Sequence, residues 1–118
     1  MQISGRCHCG NIAFRLLWSP EPLKIPARAC GGSFCIKHGG VWTSYPTSTL
    51  KVTIQNLSRV SKYTSGTKTA EFHICAKCGV VPVVTSRIGD QLYAVVSVHA
   101  FEEVEPSLLM HAAASFEG

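Results

Sequence analysis

Charge is scarce in this chain of 118 residues: Asp, Glu, Lys and Arg make up only 15% of it, against 46% hydrophobic residues. A disordered chain shows the reverse balance, so a folded domain is expected. No run of lysines or arginines concentrates the formal net charge of +4, and nothing therefore points to a nucleic-acid partner. Long apolar runs are missing too. No segment approaches the roughly 18 apolar residues that suggest a membrane span, and the stretch from Met1 to Gly10 is too polar for the hydrophobic region of a signal peptide. There is no internal repeat and no low-complexity linker. The length argues for one domain, residues 1–118, with a small core. The expectation is a cytoplasmic protein that engages neither membrane nor nucleic acid, as a monomer or a homodimer.

Cysteine, by contrast, is plentiful, with six residues. In a reducing compartment these read as metal ligands or reactive thiols rather than as a disulfide framework. A secreted protein with three disulfides is the alternative.

The apolar pattern has mostly the short period of strands. Ile12, Phe14 and Leu16 alternate with Ala13, Arg15 and Leu17 before Ser19-Pro20 breaks the run. Residues 41–45, 50–54, 60–63, 70–74, 80–85 and 92–98 are rich in β-branched and aromatic residues. Turn signals at Pro46-Thr47-Ser48, Ser65-Gly66-Thr67 and Gly89-Asp90 separate them. Pro82 inside one candidate predicts an edge strand or a bulge there. Short helical turns are expected at 33–38 and near 106–114. The overall expectation is an all-β domain of seven or eight short strands.

Cys75-Ala76-Lys77-Cys78-Gly79 is the strongest local signal. A Cys-X-X-Cys turn brings two sulfurs close enough to share one tetrahedral zinc, and the glycine after it suits a tight turn with positive φ. Cys7-His8-Cys9-Gly10 offers a second pair. On a flat strand residues i and i+2 lie about 6.5 to 7 Å apart, too wide for sulfurs each about 2.3 Å from one metal. The segment must therefore bend, which Gly10 makes easy. Two pairs of two ligands complete a closed structural zinc site on Cys7, Cys9, Cys75 and Cys78. Buried thiols without metal, or a redox-active Cys-X-X-Cys, are the competing readings, and His8 or His73 stands ready to replace one cysteine as ligand.

The second constellation is Cys30-Gly31-Gly32-Ser33-Phe34-Cys35-Ile36-Lys37-His38-Gly39. The order of Gly-Arg-Cys-His-Cys-Gly-Asn near the start, this segment in the middle, and Phe-His-Ile-Cys-Ala-Lys-Cys-Gly later resembles the glutathione-dependent formaldehyde-activating enzyme family, which includes centromere protein V. The resemblance spans Gly5 to about Val98. It implies an all-β, tent-like fold whose structural zinc is held by Cys7, Cys9, Cys75 and Cys78. It also implies a second zinc on a Cys-X-Cys-X-X-Cys motif, with an open position for the thiol of glutathione. Cys30 and Cys35 match the outer cysteines of that motif, but its middle position is Gly32. Two thiolates make a poor zinc site, and the nearest third ligand is His38, which shares a face with Cys35 if the segment is helical.

Three functions compete. A carbon–sulfur lyase would join glutathione to a small aldehyde, with Cys30 and Cys35 as the catalytic pair. A zinc-stabilised binding module without catalysis is favoured by Gly32. A redox sensor would use a reversible Cys30–Cys35 disulfide. Trp42 and Tyr45 are candidates for a cleft wall or for the core. Arg6, Lys37 and Arg87 are candidate partners for glutathione carboxylates.

Overall fold

The computed structural model describes residues 1–45, 48–65 and 70–114. Pro46, Thr47, Gly66 and Thr67, assigned to turns above, lie outside the described residues.

Among the described residues the structure is nearly all β, with eleven strands, one α-helix and short 3₁₀ turns. Strands β1 (Gln2–Arg6), β2 (Ile12–Leu17), β5 (Thr49–Ile54) and β10 (Phe101–Glu102) form a four-stranded antiparallel sheet in the order β10-β1-β2-β5. The second sheet has seven strands. It contains β3 (Ile25–Cys30), β4 (Val41–Thr43), β6 (Val60–Ser65), β7 (Ala70–Cys75), β8 (Val83–Ile88), β9 (Gln91–Ser97) and β11 (Leu109–Ala114). Its order is β11-β3-β4-β9-β8-β7-β6, antiparallel throughout except for the parallel pair β11/β3. Helix α1 (Ser33–His38) crosses from β3 to β4.

Side-chain alternation explains how the sheets meet. In β2, Ile12, Phe14 and Leu16 are buried while Arg15 and Leu17 face water, as the period-2 pattern requires. Ile3, Phe14 and Leu16 of the small sheet pack with Ile25, Val83 and Val96 of the large one, closed at one end by Trp18 and Ala100. Tyr45 belongs to the margin of this core, its ring stacked on Trp18 at 4.9 Å. The centre of the large sheet is covered on both faces. Val84, next to Val83, turns the other way and joins Trp42, Phe72, Cys30 and Cys35 in a second cluster. The Val83-Val84 run is the apolar continuity expected of a strand buried on both sides.

Three elements depart from the sequence pattern. The segment near 106–114 is not helical beyond the 3₁₀ turn Pro106–Leu108; it continues as β11 beside β3. Ala112 to Ala114 favour a helix intrinsically, and pairing with an open sheet edge overrides that preference. Pro82 is fully buried, and the strand it precedes lies between β7 and β9 rather than at an edge. Pro82 stands just before the first strand residue, and its carbonyl accepts the amide of Ser97 at 2.8 Å, so no donor is lost from the ladder. The strand count exceeds the seven or eight expected because β1, β3 and β10 carry too few apolar residues, or a proline, to stand out.

Gly5 of β1 faces Phe14 of β2 across the ladder. A Cβ at Gly5 would meet the Phe14 ring at 2.2 to 2.8 Å. Phe14 is 2% exposed and makes an edge contact with Phe101 at 6.2 Å, so its ring has little room to retreat. Gly5→Ala is therefore expected to destabilise the fold by about 1–3 kcal/mol, the usual cost of overpacking. Denaturant unfolding checks this; a midpoint equal to wild type would show that the ring shifts freely.

Candidate metal centre

The two cysteine pairs sit on two hairpin turns of the same design. In the first, between β1 and β2, the amide of Cys7 donates to the carbonyl of Ile12 at 2.9 Å and the amide of Gly10 donates to that of Cys7 at 3.1 Å. In the second, between β7 and β8, the amide of Cys75 donates to Val80 at 3.0 Å and that of Gly79 to Cys75 at 2.8 Å. Each turn is completed by a glycine in the left-handed region, Gly10 at φ 87° and Gly79 at φ 83°, a conformation other residues adopt only at a cost. Gly10 supplies the bend that lets a Cys-X-Cys pair converge.

The ligand atoms of Cys7, Cys9, Cys75 and Cys78 all lie within 4.8 Å of one another. The Cys7–Cys9 sulfurs are 3.7 Å apart and the Cys9–Cys75 sulfurs 3.5 Å. A tetrahedral zinc with sulfurs at about 2.3 Å needs sulfur–sulfur edges of about 3.8 Å. The donor set and its spacing thus fit a closed tetrathiolate site. Cys7 and Cys75 are fully buried, Cys78 is half-buried and Cys9 is exposed. Ile12, Ile54, Val60 and Val80 pack around the sulfurs.

Backbone amides are already arranged to carry thiolate charge. The Ile12 amide reaches the Cys7 sulfur at 3.3 Å. At Cys78, desolvation raises the thiol. Amide hydrogen bonds from Val80 and Cys9, with the Cys75 and Cys7 sulfurs, outweigh it and pull the thiol down to about 6. At Cys75, desolvation is likewise outweighed by the amides of Cys78 and Lys77, so its thiol also falls. Cys9 goes the other way. A hydrogen bond from the Asn11 backbone amide lowers it, but desolvation and the neighbouring sulfurs of Cys75, Cys7 and Cys78 push it up to about 11. Four sulfurs at such distances cannot all be anionic without a cation among them.

The sequence reading passed over what braces the two turns. Asn11, buried just after Gly10, accepts the Asn56 amide at 2.8 Å and donates to the Asn56 carbonyl at 3.2 Å. Three residues further on, the Arg59 carbonyl accepts the amide of Ala76 at 2.8 Å. The link from β5 to β6 thereby holds both turns in place. A lone asparagine following the cysteine motif was the available signal.

The histidines flanking the cysteines take other roles. His73 bonds Thr85 through Nε2 at 2.7 Å, and neither it nor His8 belongs to the converging group. Cys30 and Cys35 are both buried and share one cluster with Trp42 and Phe72. The segment that carries them is closed where the Cys30 amide donates to the Gly40 carbonyl at 3.2 Å, and α1 ends with the Gly39 amide donating to the Cys35 carbonyl at 2.7 Å. His38 is exposed, its ring stacked against Phe34 at 5.4 Å. Among the described residues, Cys30, Cys35 and His38 do not converge as a second metal group. Gly32 sits at φ −64°, ψ 154°, ordinary extended backbone, so its main chain does not require a glycine. Arg6 is paired with Glu102 at 2.7 Å on the small sheet. Arg87 follows Val83 and Thr85 on the sheet face away from Cys30. Lys37 is exposed on α1.

Residues 2–114 match the model of the family described as glutathione-dependent formaldehyde-activating enzyme. No curated protein matches the chain. Among solved structures, the crystal structure of a Rhodobacter sphaeroides protein is similar, at 29% sequence identity and a TM-score of 0.65, over 88% of this chain and 92% of that one. The fold, the paired cysteine turns and this match over nearly the whole length place the chain in one family: it belongs to the glutathione-dependent formaldehyde-activating enzyme family.

Proposed function

We propose that the chain is a single zinc-stabilised domain that joins a thiol such as glutathione to a small aldehyde. In this reading Cys7, Cys9, Cys75 and Cys78 hold one structural zinc, and Cys30 with Cys35 forms the reaction site. The observation that carries it is the shared burial of Cys30 and Cys35 on one face of the large sheet, against Trp42 and Phe72 and beside Phe34 of α1, in a chain of this family.

The chemistry is an addition. The thiol sulfur forms a bond to the carbonyl carbon, the carbonyl π pair moves to oxygen, and the proton lost by the thiol ends on that oxygen. No oxidant or reductant is needed. A metal held at Cys30 and Cys35 would keep the incoming thiol in its nucleophilic thiolate form. The chain's own contribution is to bury the reacting sulfur beside apolar and aromatic side chains, where water competes less. Cys30 and Cys35 would supply two ligands to such a metal, and His38, which does not converge with them, would have to move to supply a third.

A second reading has a specific observation behind it. With Gly32 in place of a thiol and no third side chain converging among the described residues, the same face serves as a binding site or a redox pair without turnover.

Mixing purified protein with glutathione and formaldehyde, and following adduct formation by NMR exchange, separates these. The lyase reading expects a rate above the uncatalysed one, falling to background in Cys35→Ser with the thermal unfolding midpoint preserved. Full activity in the variant would overturn the site assignment, and no rate enhancement by wild type would leave the binding module.

A further inference from the structure

Arg28 is the one arginine that the strand register places on the Cys30 face of the large sheet. It lies two residues before Cys30 on β3 and directly opposite Trp42 of β4. Residues i and i+2 of a strand point to the same side, about 6.5 to 7 Å apart. Trp42 and Cys30 belong to the same buried cluster as Cys35, so the base of the Arg28 side chain stands one strand repeat from Cys30. Its guanidinium reaches to Ser44 on the side away from that thiol, several bond lengths out, as the carboxylates of a small peptide are from its sulfur.

Among the described residues the charge of Arg28 is unanswered. Arg28 is half-buried, and its Nη2 donates to the Ser44 hydroxyl at 3.2 Å. Among the described residues no carboxylate forms an ion pair with it; the two ion pairs found join Arg6 to Glu102 and Lys62 to Glu71. A guanidinium has five donors in a planar fork suited to a carboxylate. A partly desolvated cation that meets only a neutral hydroxyl has lost hydration without gaining an anion. Ser44 fixes one edge of the fork and leaves the remaining donors for a ligand.

We infer that Arg28 is a specificity residue that receives a carboxylate of the incoming thiol, so that the site selects carboxylate-bearing thiols such as small peptides over neutral ones. This rests on the thiol-binding reading above and adds the side chain that reads the substrate. It also replaces Arg6 and Arg87 as carboxylate partners, since those lie on other surfaces.

The test is isothermal titration calorimetry of the protein as purified, in the absence of aldehyde, with glutathione and with glutathione diethyl ester, which keeps the thiol but lacks both carboxylates. Wild type is expected to bind glutathione about tenfold more tightly than the diester, the scale of one charge-assisted hydrogen-bonded contact. Arg28→Gln is expected to lose that preference while binding the diester as wild type does, and Arg28→Lys to restore part of it. Equal wild-type affinity for the two ligands overturns the inference even if Arg28→Gln fails to fold. So does a variant that keeps the preference, or one that weakens both ligands alike, as a structural role would. Failure of wild type to bind either ligand overturns the thiol-binding reading and this inference together.

Discussion

Four sulfurs meeting where a turn of each sheet comes together are the constraint on which our account of the two sheets rests. Cys7 and Cys9 belong to the turn that joins β1 to β2 of the small sheet, and Cys75 and Cys78 to the turn that joins β7 to β8 of the large one. Their convergence within 4.8 Å would let one metal ion fasten one sheet to the other; among the described residues Ile12, Ile54, Val60 and Val80 pack in the same cluster. A structural zinc contributes roughly 10 kcal/mol or more, comparable with the entire net stability of about 5 to 15 kcal/mol for a domain. The main core of Ile3, Phe14, Leu16, Val83 and Val96 would then close between sheets whose relative placement is already fixed at those turns. The brace from Asn11 and Ala76 to the β5–β6 link keeps the two turns facing each other.

The doubly covered centre of the large sheet separates the main core from the cluster that holds Cys30 and Cys35. Val83 and Val96 face the small sheet, and Val84 and Val95 face the side that holds Cys30 and Cys35. A ligand on the latter side touches none of the residues that join the sheets through the main core. Gly32 precedes α1 in extended backbone that any residue can adopt, far in sequence from either cysteine turn.

Much of this was legible in the residues because it follows local rules. The alternation of β2, the bend at Gly10, the left-handed Gly79 and the short helix from Ser33 to His38 each express a preference that neighbouring residues do not contest. Where tertiary pairing decides, the reading failed. β11 is Leu-Met-His-Ala-Ala-Ala, a helical sequence by propensity, and becomes a strand only because β3 offers it an edge. β1 has a single large apolar residue, Ile3, and β3 contains Pro26, so neither announces itself. Spacing found the four cysteines that converge but not the residues that brace their turns. Arg28 and Asn11 look unremarkable until register puts one a strand repeat from Cys30 and hydrogen bonding ties the other to Asn56.

The most direct measurement is elemental analysis of metal in protein purified without added zinc, with circular dichroism of the same samples, for wild type and Cys75→Ser. The account predicts at least one zinc per wild-type chain, and in Cys75→Ser a loss of one zinc together with most of the folded signal at ordinary temperature. A wild-type chain that is folded and free of metal, or a Cys75→Ser chain as stable as wild type, would contradict the claim that a metal at the four cysteines holds the sheets together.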